Sequence, residues 1–331
     1  MALESKKRFD LLIQELDFHT EYRVHGGMIV IENDDEFETM GRFVEDQKRI
    51  GLDVSLLDKR DVRKMAPFLS EHILGAAYSP LDAQINPIYL TLALIKAAKR
   101  SGARIFSYSE ATGIRWMKHK AWSVETARGA IEATKIVNAA GIYAPQIGSM
   151  IHLEIPITPR RGQILVTEAA PPMLEPCLLS AKYVRAKHDP ESAKGSDAGV
   201  SIEQTEDGNF LLGSTREFAG FDRRTTWEAM KGIARRTAGV FPRLRQLHVI
   251  RSFAGLRPYT PDGLPILGQA ESAKGFFVAA GHEGDGIALA PITGEVMADL
   301  VIDGRSSMDL RHFRLERFPV GSGPDFSSAP F

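Results

Sequence analysis

Apolar residues recur at three- to four-residue spacing in five windows of the chain and alternate with polar ones in others, so helices and strands are both predicted. The first window places Leu3, Leu11, Leu12 and Leu16 near one face of an amphipathic helix. No capping residue precedes it, so it reads as a helix already under way. A second helix spans Asp35 to Ile50 and stops at Gly51. A third has Asn86 as cap and Pro87 at its first position, continues through Leu90, Leu94, Ile95 and Ala98, and ends at Gly102. Two more cover Thr225 to Ala238 and Gly286 to Ile302. Strands are expected at Ala103–Tyr108, His248–Gly255, Leu264–Gly268 and Gly275–Ala280. Hairpins are expected where Ala121–Ala127 and Ala130–Asn138 flank Arg128-Gly129, and where Val200–Gln204 and Asn209–Gly213 flank Asp207-Gly208. Lys187 to Gly199 reads as a polar surface loop, and the Gly-, Ser- and Pro-bearing stretch from Phe318 as a loose arm. The mixture predicts a nucleotide-binding half interleaved with an antiparallel β half.

At 331 residues the chain is long enough for about two domains. Its 44% hydrophobic and 25% charged content is that of a globular protein without a membrane-spanning run. A net charge of −1 gives no basis for nucleic-acid binding or a polybasic membrane contact. The single cysteine, Cys177, excludes an internal disulfide and a cysteine-rich zinc cluster, and fits a packed residue in a reducing, cytoplasmic setting. The nine histidines form no pair at metal-ligand spacing on a helix face, so no metal is expected. There is no Gly-x-Ser-x-Gly elbow of a hydrolase.

Three stretches carry candidate chemistry. Phe276–Ala280 is followed by Gly281-His282-Glu283-Gly284-Asp285-Gly286 and an apolar helix. Glycines there let a backbone approach a ligand, and the free N–H groups of a helix start favour negative charge, which would suit a reduced flavin. The same glycines would also serve a strand-to-helix turn needing them only for shape. In Ala254-Gly255-Leu256-Arg257-Pro258-Tyr259-Thr260-Pro261-Asp262, Arg257 stands between an apolar strand and two prolines. It can grip a carboxylate with both guanidinium arms from a rigid corner, or pair internally with Asp262. Tyr259 can donate to a substrate or simply pack. Ile136–Asn138 ends in Ala139-Ala140-Gly141, small residues that let a nucleotide cross a strand end.

In this order the three blocks resemble the D-amino acid oxidase superfamily of flavoproteins, specifically its branch of glycine oxidases, sarcosine oxidases and D-amino acid dehydrogenases. The resemblance covers nearly the whole chain. Ala2-Leu3-Glu4-Ser5 is similar to a substrate-domain helix, His25-Gly26-Gly27 to the strand after it, Gly75–Gly102 to the segment leading into a helix, and Arg160-Arg161-Gly162-Gln163 to the start of the large antiparallel sheet. It implies an α/β plus antiparallel β fold: a Rossmann-like FAD-binding domain interleaved with a D-amino acid oxidase-type substrate domain. The substrate domain would take residues 1–78 and 156–247, the FAD domain 79–155 and 248–305, and a tail 306–331. It implies noncovalent FAD lined by Ala139, Ala140, Gly141, Gly255, Gly281, His282, Gly284, Asp285, Gly286 and Ile287. Gly255 lies near the position where sarcosine oxidases carry their flavin-linking cysteine. Arg257 would hold the substrate carboxylate, with Tyr259 and His282 beside the reacting centre.

The chain departs from the family at two points. Where glycine oxidases often carry a second arginine, it has Glu283-Gly284, so it looks closer to β-type subunits of hydrogen cyanide synthase, opine oxidase or D-hydroxyproline dehydrogenase, which work with electron-transfer partner subunits. The family also opens on a βαβ unit with Gly-x-Gly-x-x-Gly, and that unit is missing from this sequence. The expected function is oxidation of the C–N bond of a small amino acid or secondary amine. The alternatives are an N-terminally truncated, inactive fragment and a non-catalytic subunit of an amine-dehydrogenase complex. A nicotinamide-dependent dehydrogenase would need the same glycine fingerprint and has no specific support.

Overall fold

A computed structural model describes residues 1–188 and 199–319. The loop read from Lys187 to Gly199 and the arm from Phe318 lie, apart from their end residues, outside the described residues. In chain order the elements are α1 (Ala2–Glu15), β1 (Arg23–Val24), β2 (Gly27–Ile31), α2 (Asp34–Arg49), β3 (Ser55–Asp58), α3 (Lys59–Met65), β4 (Gly75–Ser79), β5 (Ala83–Gln84) and α4 (Pro87–Arg100). Then follow β6 (Ala111–Trp116), β7 (Trp122–Thr126), β8 (Gly129–Ala133), β9 (Ile136–Asn138), α5 (Ala144–Ser149), β10 (Thr158–Ala169), β11 (Cys177–Ser180) and α6 (Ala181–His188). The rest are β12 (Ser201–Gln204), β13 (Asn209–Gly213), α7 (Trp227–Val240), β14 (Val249–Tyr259), β15 (Ile266–Gln269), β16 (Phe276–Ala280) and α8 (Gly286–Asp303). The chain divides into two compact units, one of residues 1–18, 91–160 and 256–331 and one of 19–90 and 161–255. The fold is thus the mixed α/β and antiparallel β arrangement that the sequence predicts. Among the described residues no helix is long and apolar enough to cross a membrane.

The second unit is built on an eight-stranded sheet ordered β14-β10-β13-β12-β11-β2-β4-β3. β10 and β14 have residues in both units. The predicted Asp207-Gly208 hairpin joins β12 and β13, with Ser201 opposite Gly213 and Gly208 at φ 86°. α2 and α7 are capped by Asn33 and Thr226, whose side chains accept from the Glu36 and Ala229 N–H groups. Val30, Leu178, Ile202, Phe210 and Ile233 are fully buried in one core, where the Phe210 and Phe241 rings meet edge-on at 5.7 Å. Arg161 is tied down in this unit: Nη2 donates to Glu217 Oε2 at 2.5 Å and Nη1 to Asp222 Oδ2 at 3.0 Å. Burial alone would raise the Glu217 pKa, but hydrogen bonds from Thr215, Arg161 and Gln163 outweigh it and hold the carboxyl below its usual range. Burial pushes the Cys177 thiol up to about 12, in keeping with a packed, unreactive cysteine.

The first unit holds two three-stranded sheets, β6-β7-β8 and β15-β16-β9. Trp122 anchors the former: its ring meets Trp116 at 4.9 Å and Phe276 at 5.9 Å, and its Nε1 donates to the Lys274 carbonyl at 3.2 Å. β9 and β16 are parallel, and β9 ends the sheet with Val137 exposed. α1 packs along α8, where Ser5 Oγ donates to the Ala288 carbonyl at 2.6 Å and Arg8 pairs with Glu295.

Four expectations change. α1 forms, but it buries Ser5 and Phe9 while Leu3 and Leu11 stay exposed: the polar Ser5 is on the inner face because it satisfies an α8 carbonyl. Ala103–Tyr108 is not a strand. Ile105 and Phe106 are exposed, and among the described residues no strand pairs with this run, so its apolar alternation finds no ladder there. The run Ala130–Asn138 splits: Gly129–Ala133 completes the hairpin as β8, and Ile136–Asn138 crosses to β16 as β9. β14 does not stop at Gly255 but runs through Arg257 and Pro258 to Tyr259.

Candidate functional site

The site is built in the first unit where β16 turns into α8 and β14 ends. At Gly281 φ is 83°, and a Cβ there would lie 2.6 Å from Thr260 Cγ2, so only glycine fits this close turn. The turn then makes two bonds of its own: the Glu283 N–H donates to the Pro258 carbonyl at 3.1 Å and the Asp285 N–H to the His282 carbonyl at 2.9 Å. The first of these stitches the Gly-His-Glu-Gly block to the Arg257-Pro258 block, so two motifs remote in sequence share one wall.

α8 begins at Gly286 with Asp285 as its cap residue, and no side-chain cap bond is made. The N–H groups of its first turn therefore lie at the positive end of an 18-residue helix. Beside them is a hollow of about 330 Å³ lined by Val137, Ala139, Ala279, His282, Gly286 and Met297 among others. His282 Nε2 is 3.0 Å from Thr293 Oγ1, and burial pulls the imidazole pKa below its ordinary value, so the ring is neutral near pH 7. Neutral, apolar walls of small residues next to a helix start fit the ring end of a flavin, which is flat, largely apolar and gathers negative charge on reduction.

Of the residues predicted to line the cofactor, Ala139, His282 and Gly286 meet at this hollow. Ala140 and Gly141 follow on the turn after β9: Asn138 Oδ1 accepts from the Ala140 N–H at 3.2 Å, and Gly141 adopts φ 58°. Gly281, Gly284 and Asp285 form the turn itself, and Ile287 is exposed on the first turn of α8. Gly255 lies on β14, two residues before Arg257, and is the last residue of the second unit.

Arg257 lies within β14 rather than at a corner beyond it, and its side chain is 17% exposed. It is not paired with Asp262, which Arg317 takes at 2.7 and 3.0 Å. Glu283 is an ionic neighbour, with Arg257 Nε 3.9 Å from Oε1. The same oxygen is 3.8 Å from Nη1 of Arg160, a fully buried arginine stacked 5.0 Å from the Tyr259 ring. Tyr259 thus serves this cluster as an aromatic face. In the sequence Arg160 marks only the start of a sheet; nothing in a strand pattern says which of two adjacent arginines turns inward. Thr293 and Met297 were missed too. The spacing Gly286, Ala290, Thr293, Gly294 and Met297 puts them on one face of α8, a stripe that can be read from the sequence.

The chain is similar to known proteins along most of its length. Residues 1–300 match the family described as DAO, FAD dependent oxidoreductase. The hydrogen cyanide synthase subunit HcnC of Pseudomonas protegens is 32% identical over 82% of this chain, which spans 62% of that protein. The crystal structure of glycine oxidase from Geobacillus kaustophilus superposes with a TM-score of 0.87 at 30% identity, covering 96% of this chain and 82% of that one. That of L-proline dehydrogenase from P. horikoshii gives 0.86 at 25% identity over the same shares. The chain belongs to the DAO family of FAD-dependent oxidoreductases.

Proposed function

We propose that the protein oxidises the C–N bond of a small amino acid or secondary amine, such as a D-amino acid, glycine, sarcosine or a proline-like compound. The observation that carries this reading is the joining of Arg257 to the helix-start wall through the Glu283–Pro258 backbone bond. A carboxylate binder and a flavin-ring wall on one rigid frame are what an α-amino acid oxidation needs. When bound, FAD supplies the acceptor for the hydride that leaves the substrate α-carbon. The amine nitrogen gives up a proton as the C=N bond forms, and water then hydrolyses the imine to a carbonyl compound and a free amine. In this reading Arg257 orients the substrate by its carboxylate, the neutral His282 and the α8 N–H groups line the cofactor, and no protein acid or base is required at the reacting carbon.

A second reading, that the chain is one subunit of an amine-dehydrogenase complex, draws on the likeness to HcnC, itself named as a subunit. The open edge of β9, with Val137 exposed, also favours it, because a strand edge invites a further strand. The test of the main reading is Arg257→Ala in FAD-loaded protein. KM for an amino acid substrate should rise roughly a hundredfold, the scale of a lost charge-assisted double hydrogen bond. An unchanged KM would remove Arg257 from substrate binding. Flavin that copurifies only with a partner chain would favour the second reading.

A further inference from the structure

The carboxylate of Glu283 has no part in the chemistry above, and its placement is unusual. Glu283 adopts φ 47°, a left-handed conformation rare for a side chain of this size. Its side chain is 3% exposed. Oε2 accepts from the next backbone N–H, that of Gly284, which fixes the carboxylate plane. Oε1 is 3.8 Å from Arg160 Nη1 and 3.9 Å from Arg257 Nε. A backbone strain, a backbone hydrogen bond and two guanidiniums together hold one negative charge at the edge of the arginine that meets the substrate.

We propose that Glu283 is a specificity-determining residue that limits the substrate to a single carboxylate. The inference rests on the reading that Arg257 binds the substrate carboxylate. One carboxylate arriving at Arg257 is drawn by its guanidinium. A second carboxylate, two or three bonds further along the same molecule, meets the fixed Glu283 charge at close range in surroundings with little water. Glu283 also takes up the charge of Arg160, 3.8 Å away, so with Arg257 holding the first carboxylate no guanidinium charge is left to offset the second. Glu283 thus acts chiefly by exclusion: neutral or amine-bearing tails are tolerated and acidic tails are not.

Binding of two unreactive probes, propionate and succinate, tests this by calorimetry on the full chain with FAD present, and the readout needs no turnover. Wild type should bind propionate better than succinate. Glu283→Gln should move the ratio of the two Kd values toward succinate by roughly tenfold or more, about what removal of one nearby like charge gives. Glu283→Asp, which keeps the charge, should stay within about threefold of wild type on the same scale. Glu283→Gly suits the positive φ, so it supplies a charge-free variant if the glutamine form folds poorly. A ratio unchanged in Gln and Gly variants, with propionate binding abolished by Arg257→Ala, would overturn the role of Glu283 and leave that of Arg257 standing. Propionate binding that is indifferent to Arg257→Ala would overturn the proposed site itself, and this inference with it.

Discussion

The two units solve the same problem of burying apolar strands in opposite ways. In the second, the sheet of eight strands is covered by α3 and α7, and large residues such as Phe210, Phe241 and Ile202 fill one continuous core. Its arginine, Arg161, is saturated by Glu217 and Asp222. In the first, the parallel pair β9–β16 ends at an exposed edge, the hollow beside α8 is lined with small side chains, and apolar residues on α4 such as Leu92 and Ile95 face solvent. Its arginines Arg160 and Arg257 share one carboxylate, that of Glu283, at 3.8 and 3.9 Å. A filled core stabilises the fold; an unfilled one leaves room for chemistry. The candidate site lies at that hollow, beside a buried core of its own that includes Trp122, Ile157, Phe276 and Val278.

The largest expected effect is in the filled core. Phe210→Ala should destabilise by about 3–5 kcal/mol, since a fully buried ring leaves a cavity that a sheet cannot collapse into. Denaturant unfolding followed by hydrogen exchange should show the loss in β10–β13 and β11–β12 peptides first. An equal loss in β9 and β16 would mean the two units unfold as one. Arg161→Ala comes next, at about 3 kcal/mol, the lower end for a broken buried pair, because Glu217 and Asp222 remain 32% and 30% exposed and can rehydrate. A loss below about 0.5 kcal/mol would place Arg161 with ordinary surface pairs.

Acid should separate the His282 turn from the Arg161 cluster by pH. His282 is buried with its pKa lowered, so its contribution is full above the unfolded value of about 6.5 and is lost as pH falls through the lower folded value. The Glu217 pKa is lowered also, so its contribution is full above an unfolded carboxylate pKa of about 4.3 and is lost only below it. Exchange protection at β16 and the start of α8 should therefore weaken at a pH below the ordinary histidine range but before β10 and β13 do. His282→Gln should abolish the early loss. Simultaneous loss at β10 and β13 would break the distinction. Smallest of all, Val137→Thr on the open edge of β9 should change stability by less than about 0.5 kcal/mol, as expected of an exposed position; a larger loss would show that the edge is covered.

What could be read from the sequence follows the same division. Local signals were sufficient where one element carries its own caps and turns. Asn86 Oδ1 does accept from the Ile88 and Tyr89 N–H groups at the start of α4, and Gly208 takes the left-handed turn between β12 and β13. The wall from Gly281 to Gly286 was visible because its glycines are demanded by backbone geometry. What failed depended on partners. Ala103–Tyr108 has a strand's pattern but, among the described residues, no strand to pair with, and the inner face of α1 holds Phe9 and Ser5, the latter bonded to a carbonyl on α8, rather than Leu3 and Leu11. Arg160 and Glu283 escaped for a related reason: their meaning lies in a distance of 3.8 Å between residues 123 positions apart, and spacing along the chain carries no trace of it.

The tryptophans give the first unit an optical property of its own. Trp122 is buried, with Trp116 edge-on at 4.9 Å, whereas Trp227 in the second unit is 71% exposed. Fluorescence from the buried indole is set by the β6-β7-β8 sheet and its contact with Phe276, a residue of the strand that leads into the glycine turn. The protein thus contains a native dye tuned to one half of itself. Its emission would shift to the red when that half opens and would barely register changes confined to the other.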